Sequence, residues 1–508
     1  MKLISFFHRR EFLKGSFSMV GLAAFGGGRL FAAPAGWRAD KKPNLVFGVL
    51  SDTHFRTDSG WRKGLKSDKY YAAALKYFRS RNVDAVVHCG DMADRGLVEE
   101  LQLHADVWNR VFPKGLAADG HRVEKLFVAG NHEITGWGRN HSFSRFVPNK
   151  AEWPEKILSS DIARHWERIW GEKYEPVWHK NVKGYHFFGM HWGAGEDALK
   201  ALIDRQNTAS ALAAESKPFF FITHDLTHAK FRSGIRSYRN AFGFWGHCHF
   251  SATNWGIRRM LNDVVPSVQC PACPSWWRPD GKWMGGGDRG ITKVPIEGKL
   301  QGGQWHQGFV VKVYDDALVI ERHEFSKGGS LGADWVMPFE RGSGKREKVR
   351  GKREVGRVHP FSREKLKKVI GEPQFREGAK LEVENVANVE ILPNANIQSQ
   401  LETGNIGIGN TGNIGNIVIK IPLADGNPDS RVYAYEVVVI GDEGTRKLRK
   451  AVYAAGCNLG IGHEPNGGVT TLEIPASELP PGKSLTFAVR PITSLGTSGK
   501  AIATEFKV

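Results

Sequence analysis

The chain has 508 residues, of which 41% are hydrophobic and 24% charged, and its formal net charge is +18. At roughly 150 residues per domain, this length predicts about three units and excludes a single small module. The ordinary hydrophobic and charged fractions exclude wholesale disorder and predict a sizeable core. A disulfide framework is excluded as well, because the five cysteines are too few.

The positive charge is concentrated in two stretches. Residues 1–35 hold five basic and one acidic side chain, and residues 341–380 hold fourteen basic and five acidic ones, which leaves only +5 of the total for the rest. The second stretch has only Phe361 and Phe375 as aromatic residues, so it lacks the basic and aromatic interleaving typical of nucleic-acid surfaces. We interpret it as a solvated linker, and nucleic acid is disfavoured as a partner.

The first 35 residues predict an export signal. Arg9, Arg10, Phe12, Leu13 and Lys14 resemble the twin-arginine consensus, and residues 33–35 read Ala-Pro-Ala, an A-x-A cleavage site. The apolar stretch between them is too short and too rich in glycine to span a bilayer. A general secretory signal or an N-terminal anchor is the alternative. We expect a periplasmic or secreted protein with no transmembrane segment in the mature chain.

Short apolar runs then alternate with helical patterns, which is typical of an α/β layered domain. Strands are predicted over 45–50, 85–89, 126–129, 185–190, 219–223 and 242–245, helices over 70–81 and 97–112, and a hairpin over 308–325 with its turn at Asp315-Asp316.

Metal-ligand residue types follow five of these strands directly. They are Asp52-x-His54, Gly90-Asp91, Gly130-Asn131-His132, Thr223-His224 and Gly246-His247-Cys248-His249. Ligands collect beyond the carboxyl ends of strands in open α/β sheets, so the five turns can converge on one spot. Any one of them alone is more often an ordinary capped turn, but all five in order are a strong signal.

The same residues resemble the calcineurin-like metallophosphoesterases, over about residues 43–325. The family pattern D-x-H, G-D-x-x-D-R-G, G-N-H-E, a later His and G-H-x-H is present without a missing ligand position. The resemblance implies two metal ions, and it assigns each a set of ligands. The first set is Asp52, His54, Asp91 and His249, and the second is Asp91, Asn131, His224 and His247.

A shared carboxylate with imidazoles, an amide oxygen and no thiolate suits Mn, Fe or Zn. Two such ions roughly 3.5 to 4 Å apart would lower the pKa of a bridging water and hold the phosphoryl oxygens for attack. His132 is the candidate proton donor to the leaving alkoxide, because it follows a ligand without being one. The resemblance implies that Asp94 orients His132. Arg95 would contact the phosphate or form a structural ion pair.

Aromatic residues predict either a pocket wall or the packing of irregular loops. Trp137, Arg139, Asn140 and His141 follow the third turn, and Trp276, Trp277 and Trp283 lie in a loop rich in Pro and Gly. Cys270 and Cys273 form a lone C-x-x-C, which is interpreted as a local disulfide or as two free thiols.

From residue 381 the pattern changes to short alternating strands, which predict an antiparallel sandwich of about seven strands. Residues 479–489 resemble a fibronectin type III domain, although Leu485 stands where that family has its corner tyrosine. A Gly-Asn-Ile repeat between Gly404 and Asn416 predicts a long hairpin loop. The sandwich could bind an unknown glycan or protein.

The predicted fold class is therefore α/β, a metallophosphoesterase layered β-sandwich flanked by helices, followed by an all-β fibronectin- or Ig-like sandwich. The predicted boundaries are 1–35 for the signal, 43–340 for the catalytic domain, 341–380 for the linker and 381–508 for the second sandwich. The predicted function is hydrolysis of a small phosphomonoester or phosphodiester by a hydroxide that bridges two metals. A nuclease of the same fold is the first alternative, but the charge of only +5 outside the two basic stretches gives it little support. A catalytically inactive binding or adhesion protein is the second, and it is disfavoured because every ligand position of the family pattern is intact.

Overall fold

The computed structural model describes most of the chain between residues 41 and 507. The described residues are 41–57, 66–136, 143–207, 217–225, 241–249, 251–252, 267–271, 273, 275–277, 294–298, 303–326, 328–331, 334–338, 372–386, 416–425, 432–441, 447–455, 469–493 and 496–507. Several predictions lie outside them: the export signal, the residues Trp137, Arg139, Asn140, His141 and Trp283, most of the basic linker and most of the Gly-Asn-Ile repeat.

Two mixed β-sheets form the frame of the N-terminal part. The first contains β1 (Leu45–Leu50), β2 (Ala85–His88), β3 (Glu124–Phe127), β12 (Gln307–Val313), β13 (Ala317–Glu324), β14 (Gly329–Ser330) and β15 (Trp335–Pro338). Its order is β14-β13-β12-β1-β2-β3, with β15 also paired to β13. Because β1, β2 and β3 run parallel, their carboxyl ends lie at the same edge of the sheet.

The second sheet contains β4 (Val177–Val182), β5 (Tyr185–Met190), β6 (Phe219–Thr223), β7 (Ala241–Trp245) and β8 (Ser267–Gln269), in that order. Strands β5 to β8 are parallel. One apolar cluster joins both sheets, and within it the ring of Phe47 meets Phe187 at 5.3 Å and Phe220 at 5.1 Å. The two sheets are therefore the inner layers of a sandwich.

Helices cover the outer faces of this sandwich. They are α1 (Ser67–Ser80), α2 (Val98–Val111), α3 (Asn131–Thr135), α4 (Trp153–Lys156), α5 (Ile162–Trp170) and α6 (Glu196–Asn207). Single turns of 3₁₀-helix lie at Pro113–Gly115, Phe143–Arg145, Lys150–Glu152 and Leu158–Ser160. Buried residues of α1, α2 and α5 form a second apolar cluster against the first sheet. None of the described helices is long and apolar enough to span a membrane.

The C-terminal part is all β. A three-stranded sheet has the order β17 (Glu382–Val386), β18 (Asn416–Ile421) and β22 (Thr470–Ile474). A second sheet has the order β21 (Lys447–Tyr453), β20 (Val432–Gly441), β23 (Ser484–Thr493) and β24 (Ile502–Lys507). A short pair, β16 (Gln374–Phe375) and β19 (Ala424–Asp425), and a 3₁₀ turn at Ala476–Glu478 complete the described elements. Both main sheets contribute to one core, so the predicted seven-stranded sandwich is confirmed.

One short strand from the N-terminal part joins this C-terminal sheet. β10 (Ile296–Glu297) pairs in parallel with Ala451 and Val452 of β21. The ammonium of Lys450 lies 2.9 Å from a carboxylate oxygen of Glu297 and 2.7 Å from one of Glu478. The segment after the last predicted metal ligand is therefore attached to the C-terminal sandwich at this point.

The remaining described strands form a small pair, β9 (Ser275–Trp277) and β11 (Gly303–Trp305). Trp276 and Trp277 lie on β9. Cys270 and Cys273 are free thiols, and the sulfur of Cys270 is 3.4 Å from that of Cys89. Of the two interpretations of the C-x-x-C sequence, the structure therefore has the free thiols.

Candidate metal centre

The predicted ligands lie where the parallel strands of both sheets end. Asp52 and His54 follow β1, Asp91 follows β2, and Asn131 begins α3 after β3. His224 follows β6, while His247 and His249 follow β7. The structure thus brings all seven side chains to one end of the sandwich, although they are spread over nearly 200 residues of sequence.

The backbone at this end is unusual. Nine described residues other than glycine have a positive φ, and five of them are predicted ligands: Asp52, His54, Asp91, His247 and His249. The left-handed conformation costs such residues of order 1 to 3 kcal/mol each, so it persists only where the surroundings impose it. Gly90 also has a positive φ, and a Cβ there would lie 2.6 Å from Nδ1 of His224. The surrounding structure therefore holds these loops in a strained conformation at the residues that carry the predicted ligands.

A first cluster of donor atoms is formed by Asp52, His54, Asp91 and His249, all of them buried. Nε2 of His249 lies 3.2 Å from Oδ1 of Asp52 and 2.9 Å from Nε2 of His54. Nε2 of His54 is in turn 3.8 Å from Oδ2 of Asp91. Two carboxylates and two imidazoles therefore converge on a common point.

A second cluster contains Asp91, His224 and His247, and Asn131 adds an amide oxygen to it. Nε2 of His224 lies 3.1 Å from Oδ2 of Asp91 and 3.0 Å from Oδ1 of Asn131. Nδ1 of His247 lies 3.1 Å from the same amide oxygen. The carboxylate of Asp91 belongs to both clusters, so the structure brings together the residues of both predicted sets with Asp91 in each.

A hydrogen bond fixes the tautomer of one of these imidazoles. Nδ1 of His224 lies 2.6 Å from the carbonyl oxygen of Cys89, so it donates and leaves the lone pair on Nε2. The ring of His224 therefore presents an unprotonated Nε2 to the cluster when it is neutral. Nδ1 of His54 lies 3.1 Å from Oδ1 of Asp94, within ion-pair distance.

The electrostatics of the cluster are dominated by its two carboxylates. Burial raises the pKa of Asp91, but His224 and the other nearby imidazoles outweigh it and hold the pKa well below its usual range. Burial alone would lower the pKa of His224, yet Asp91 and Asp52 raise it to about 10. A cationic His224 therefore balances the ionised carboxylates in this structure, a charge that bound cations would supply instead.

The donor set fits two divalent metal ions. Asp52, His54, Asp91 and His249 would hold one, and Asp91, Asn131, His224 and His247 the other. The donor atoms are oxygens and imidazole nitrogens, without a thiolate among the clustered side chains, and this set suits Mn, Fe or Zn. The Nε2 atoms of His54 and His249 lie 2.9 Å apart, so both nitrogens face the same point.

His132 lies beside the first cluster. Its ring is 4.6 Å from the ring of His54, and its Nε2 is 3.8 Å from Oδ2 of Asp91. Its Nδ1 is hydrogen-bonded to the carbonyl oxygen of Asp94, while the carboxylate of Asp94 is 3.9 Å away. Asp94 thus contacts both His54 and His132, the first through its carboxylate and the second mainly through its main chain.

Arg95 lies against an aromatic ring. Its guanidinium is 4.4 Å from the centre of the Phe146 ring, and only 6% of the residue is exposed. Its backbone N–H donates to Oε2 of Glu100 at 2.7 Å. Neither of the two roles predicted for Arg95 included this cation–π contact. A contact between Arg95 and the substrate phosphate stays a prediction.

Three further residues of the site were not assigned from the sequence. Glu133 is fully buried and accepts hydrogen bonds from the backbone of Asp91, Ala93 and Gly130. Arg56 lies 3.3 Å from the carboxylate of Asp94. The ring of Trp192 is 5.5 Å from that of His247. Glu133 stands in the G-N-H-E sequence and so had a motif signal, whereas Arg56 and Trp192 lie outside the motifs.

A family model matches the part of the chain that carries most of these residues. Residues 45–242 match the family described as calcineurin-like phosphoesterase. No protein of curated function matches the chain. Residues 45–242 therefore form a calcineurin-like metallophosphoesterase domain, and the protein is a phosphoester hydrolase whose metal-binding residues are intact.

Among solved structures, the chain is similar to a dimetal phosphatase from Danio rerio, with 12% identity, coverage of 59% of this chain and 100% of that chain, and a TM-score of 0.33. It is also similar to a purple acid phosphatase from yellow lupin (Lupinus luteus) seeds, with 11% identity, coverage of 58% and 54%, and a TM-score of 0.34. A third is a predicted phosphoesterase from Streptococcus pneumoniae, with 12% identity, coverage of 58% and 97%, and a TM-score of 0.25.

Proposed function

We propose that this metallophosphoesterase is an exported enzyme that hydrolyses a small phosphomonoester or phosphodiester with two divalent metal ions. The observation that carries the proposal is the position of Asp91, whose carboxylate is buried and belongs to both clusters of donor atoms. A shared carboxylate is the arrangement that holds two cations close together. Two bound ions would activate a water as nucleophile and neutralise the phosphoryl oxygens.

The protein's own contribution to proton transfer comes from His132. Because its Nδ1 donates to the carbonyl oxygen of Asp94, its Nε2 faces the cluster. When that imidazole is protonated, Nε2 can give a proton to the leaving alkoxide. Asp94 holds the ring of His132 and, through its carboxylate, the ring of His54. Asp94 therefore fixes the positions of the candidate metal ligand His54 and the proposed proton donor His132 relative to each other.

The C-terminal sandwich is proposed to be of the fibronectin type III kind. The supporting observations are its seven main strands in sheets of three and four, and the resemblance of residues 479–489. No step of the chemistry is assigned to it.

Export is proposed on the N-terminal sequence alone, since Arg9, Arg10 and Lys14 precede an Ala-Pro-Ala cleavage site. The test is to express the full chain with its natural signal and with Arg9 and Arg10 both changed to Lys, in a bacterium with a twin-arginine system. Mature protein in the periplasm that disappears with the double change supports the proposal. Equal export of both forms would contradict it.

The activity is tested with a metal-stripped protein reloaded with Mn, Fe or Zn. We expect hydrolysis of p-nitrophenyl phosphate or bis-p-nitrophenyl phosphate in at least one metal-loaded form and none without metal. Asp91→Asn should abolish it, whereas Asp119→Asn should not, because Asp119 is an exposed residue paired with His121. Activity that is independent of metal, or unchanged in Asp91→Asn, would contradict the proposed function.

A further inference from the structure

The segment that follows β5 contributes no ligand to either predicted set. β5 runs parallel to β6, and β6 runs parallel to β7, so all three strands end at the same edge of the second sheet. β6 and β7 lead to His224, His247 and His249, whereas β5 leads to His191 and Trp192. The half-buried Trp192 therefore lies at the edge where the candidate ligands converge.

Hydrogen bonds attach this segment to the loop that carries Asn131. The backbone N–H of Ala129 donates to Nδ1 of His191 at 2.7 Å, and the carbonyl oxygen of Ala129 accepts from the backbone N–H of Trp192 at 2.9 Å. Ala129 and His191 are buried, so the loss of either bond would leave a buried polar group without its partner. The main chain of Trp192 is therefore fixed relative to the loop two residues before Asn131.

The indole of Trp192 packs on two imidazoles of the second ligand set. Its ring lies 5.5 Å from the ring of His247, with the planes tilted by 35°, and 5.9 Å from the ring of His224, with the planes at 70°. Tilted and edge-to-face arrangements at such distances stabilise an aromatic pair by about 0.5 to 1.5 kcal/mol beyond the area that it buries. The first ligand set contains neither histidine, so both contacts are with the second set.

His247 depends on ring packing more than His224 does. The ring of His224 is completely buried, and its Nδ1 is hydrogen-bonded to the carbonyl oxygen of Cys89. His247 is half-buried, and its Nδ1 faces the cluster, 3.1 Å from Oδ1 of Asn131. Its backbone N–H lies 3.1 Å from both carboxylate oxygens of Asp52, which fixes the main chain and leaves the ring to rotate about its side-chain bonds. A flat indole against the imidazole restricts that rotation.

We propose that Trp192 is a positioning residue of the second metal site. Its indole holds the imidazole of His247 in the orientation that faces the cluster, and its main chain holds the loop of Asn131. The proposal rests on the proposed function, because it assumes that both ligand sets hold an ion. Loss of the indole therefore weakens the second site more than the first.

The test is zinc binding by the metal-stripped full chain, since Zn²⁺ is one of the ions that the donor set suits. Competition with a chelator gives two dissociation constants, and His224→Ala, which lacks a second-site ligand, identifies the constant of the first site. In Trp192→Leu the second-site affinity should fall about 10- to 100-fold, and the first-site affinity should change by less than about threefold.

Two further variants separate ring packing from a general loss of stability. Trp192→Phe should bind zinc at the second site within about threefold of the wild type, because a phenyl ring can still pack on His247. Trp153→Leu is the matched control, because Trp153 is also half-buried but lies on α4 and donates from its indole to the carbonyl oxygen of Val147. It should leave both constants unchanged. If Trp192→Leu does not fold, Trp192→Met takes its place with the same expected loss.

Equal weakening of both sites in the leucine or methionine variant would overturn the proposal, and so would an unchanged second site. A phenylalanine variant as weak as the leucine variant would also overturn it. In each of these cases the wild type still binds two zinc ions, so the proposed function stands. A wild type that binds fewer than two zinc ions would overturn the two-metal function and this proposal together.

Discussion

Glu133 connects the two loops that carry Asp91, the proposed shared ligand, and His132, the proposed proton donor. Its Oε2 accepts from the backbone N–H of Asp91 at 3.0 Å and of Gly130 at 2.6 Å, and its Oε1 accepts from Ala93 at 2.7 Å. Burial and the neighbouring Asp91 raise the pKa of Glu133 to about 7. At pH 8 the carboxylate is therefore ionised, and both oxygens act only as acceptors.

The change Glu133→Gln tests this connection. A glutamine offers one oxygen, so at least one of the three buried N–H groups would face an NH₂ group. An unsatisfied buried donor and the loss of a charge-assisted bond together cost about 2 to 4 kcal/mol. Because the affected loops hold Asp91 and Asn131, metal affinity should also fall about 10- to 100-fold.

The control is Glu100→Gln. Glu100 is equally buried, but its Oε2 alone accepts from Arg95 at 2.7 Å and from Leu97 at 3.4 Å, so a glutamine oxygen can keep both bonds. Urea unfolding of the metal-free proteins at pH 8 and chelator competition measure stability and metal affinity. Equal losses in the two variants, or an unchanged metal affinity in Glu133→Gln, would show that Glu133 does not hold the two loops in place.

Three other predictions follow from the structure. His132→Ala should keep its metals yet lose about 10²- to 10⁴-fold in turnover on esters with poor alkoxide leaving groups, and much less on a nitrophenyl ester; equal losses would exclude the proton-donor role. Burial lowers the pKa of His191 to about 3 from the ordinary 6.5, so the neutral ring contributes stability above pH 6.5 that is lost as the pH falls toward 3. Between pH 6.5 and pH 5 the free energy of unfolding should therefore fall by about 2 kcal/mol less in His191→Asn than in the wild type. Denaturant titrations measure this, and an equal fall in both proteins would contradict the expected role of His191. A chain ending at residue 340 lacks β21, the partner of β10, and should melt earlier than the catalytic part of the full chain; an unchanged Tm would show that this pairing contributes nothing.

The strands of the two inner sheets were predictable because they are continuous apolar runs bounded by glycine and polar residues. Leu45–Leu50, Tyr185–Met190 and Phe219–Thr223 have the predicted bounds. The helices were predicted to begin or end one to three residues away from their observed bounds. Their first residues explain this, since α1 is preceded by Lys66 with a positive φ and α2 by Leu97, neither of which is an ordinary capping residue.

The convergence of the seven candidate ligands was predictable because each lies within a few residues of the end of a strand. The supporting contacts were not, because they depend on side chains and carbonyls brought together by the fold. The carbonyl of Cys89 that orients His224 carries no sequence signal at all. The pairing of β10 was missed for a related reason, as a two-residue strand has no periodicity and its partner lies about 150 residues later.

We propose that the carboxylate of Asp91 serves two metal sites at once. The test is elemental analysis of purified wild type, Asp91→Asn and His224→Ala, all exposed to the same metal. We expect two equivalents in the wild type, a loss at both sites in Asp91→Asn, and about one equivalent remaining in His224→Ala. Two full equivalents in Asp91→Asn would contradict it.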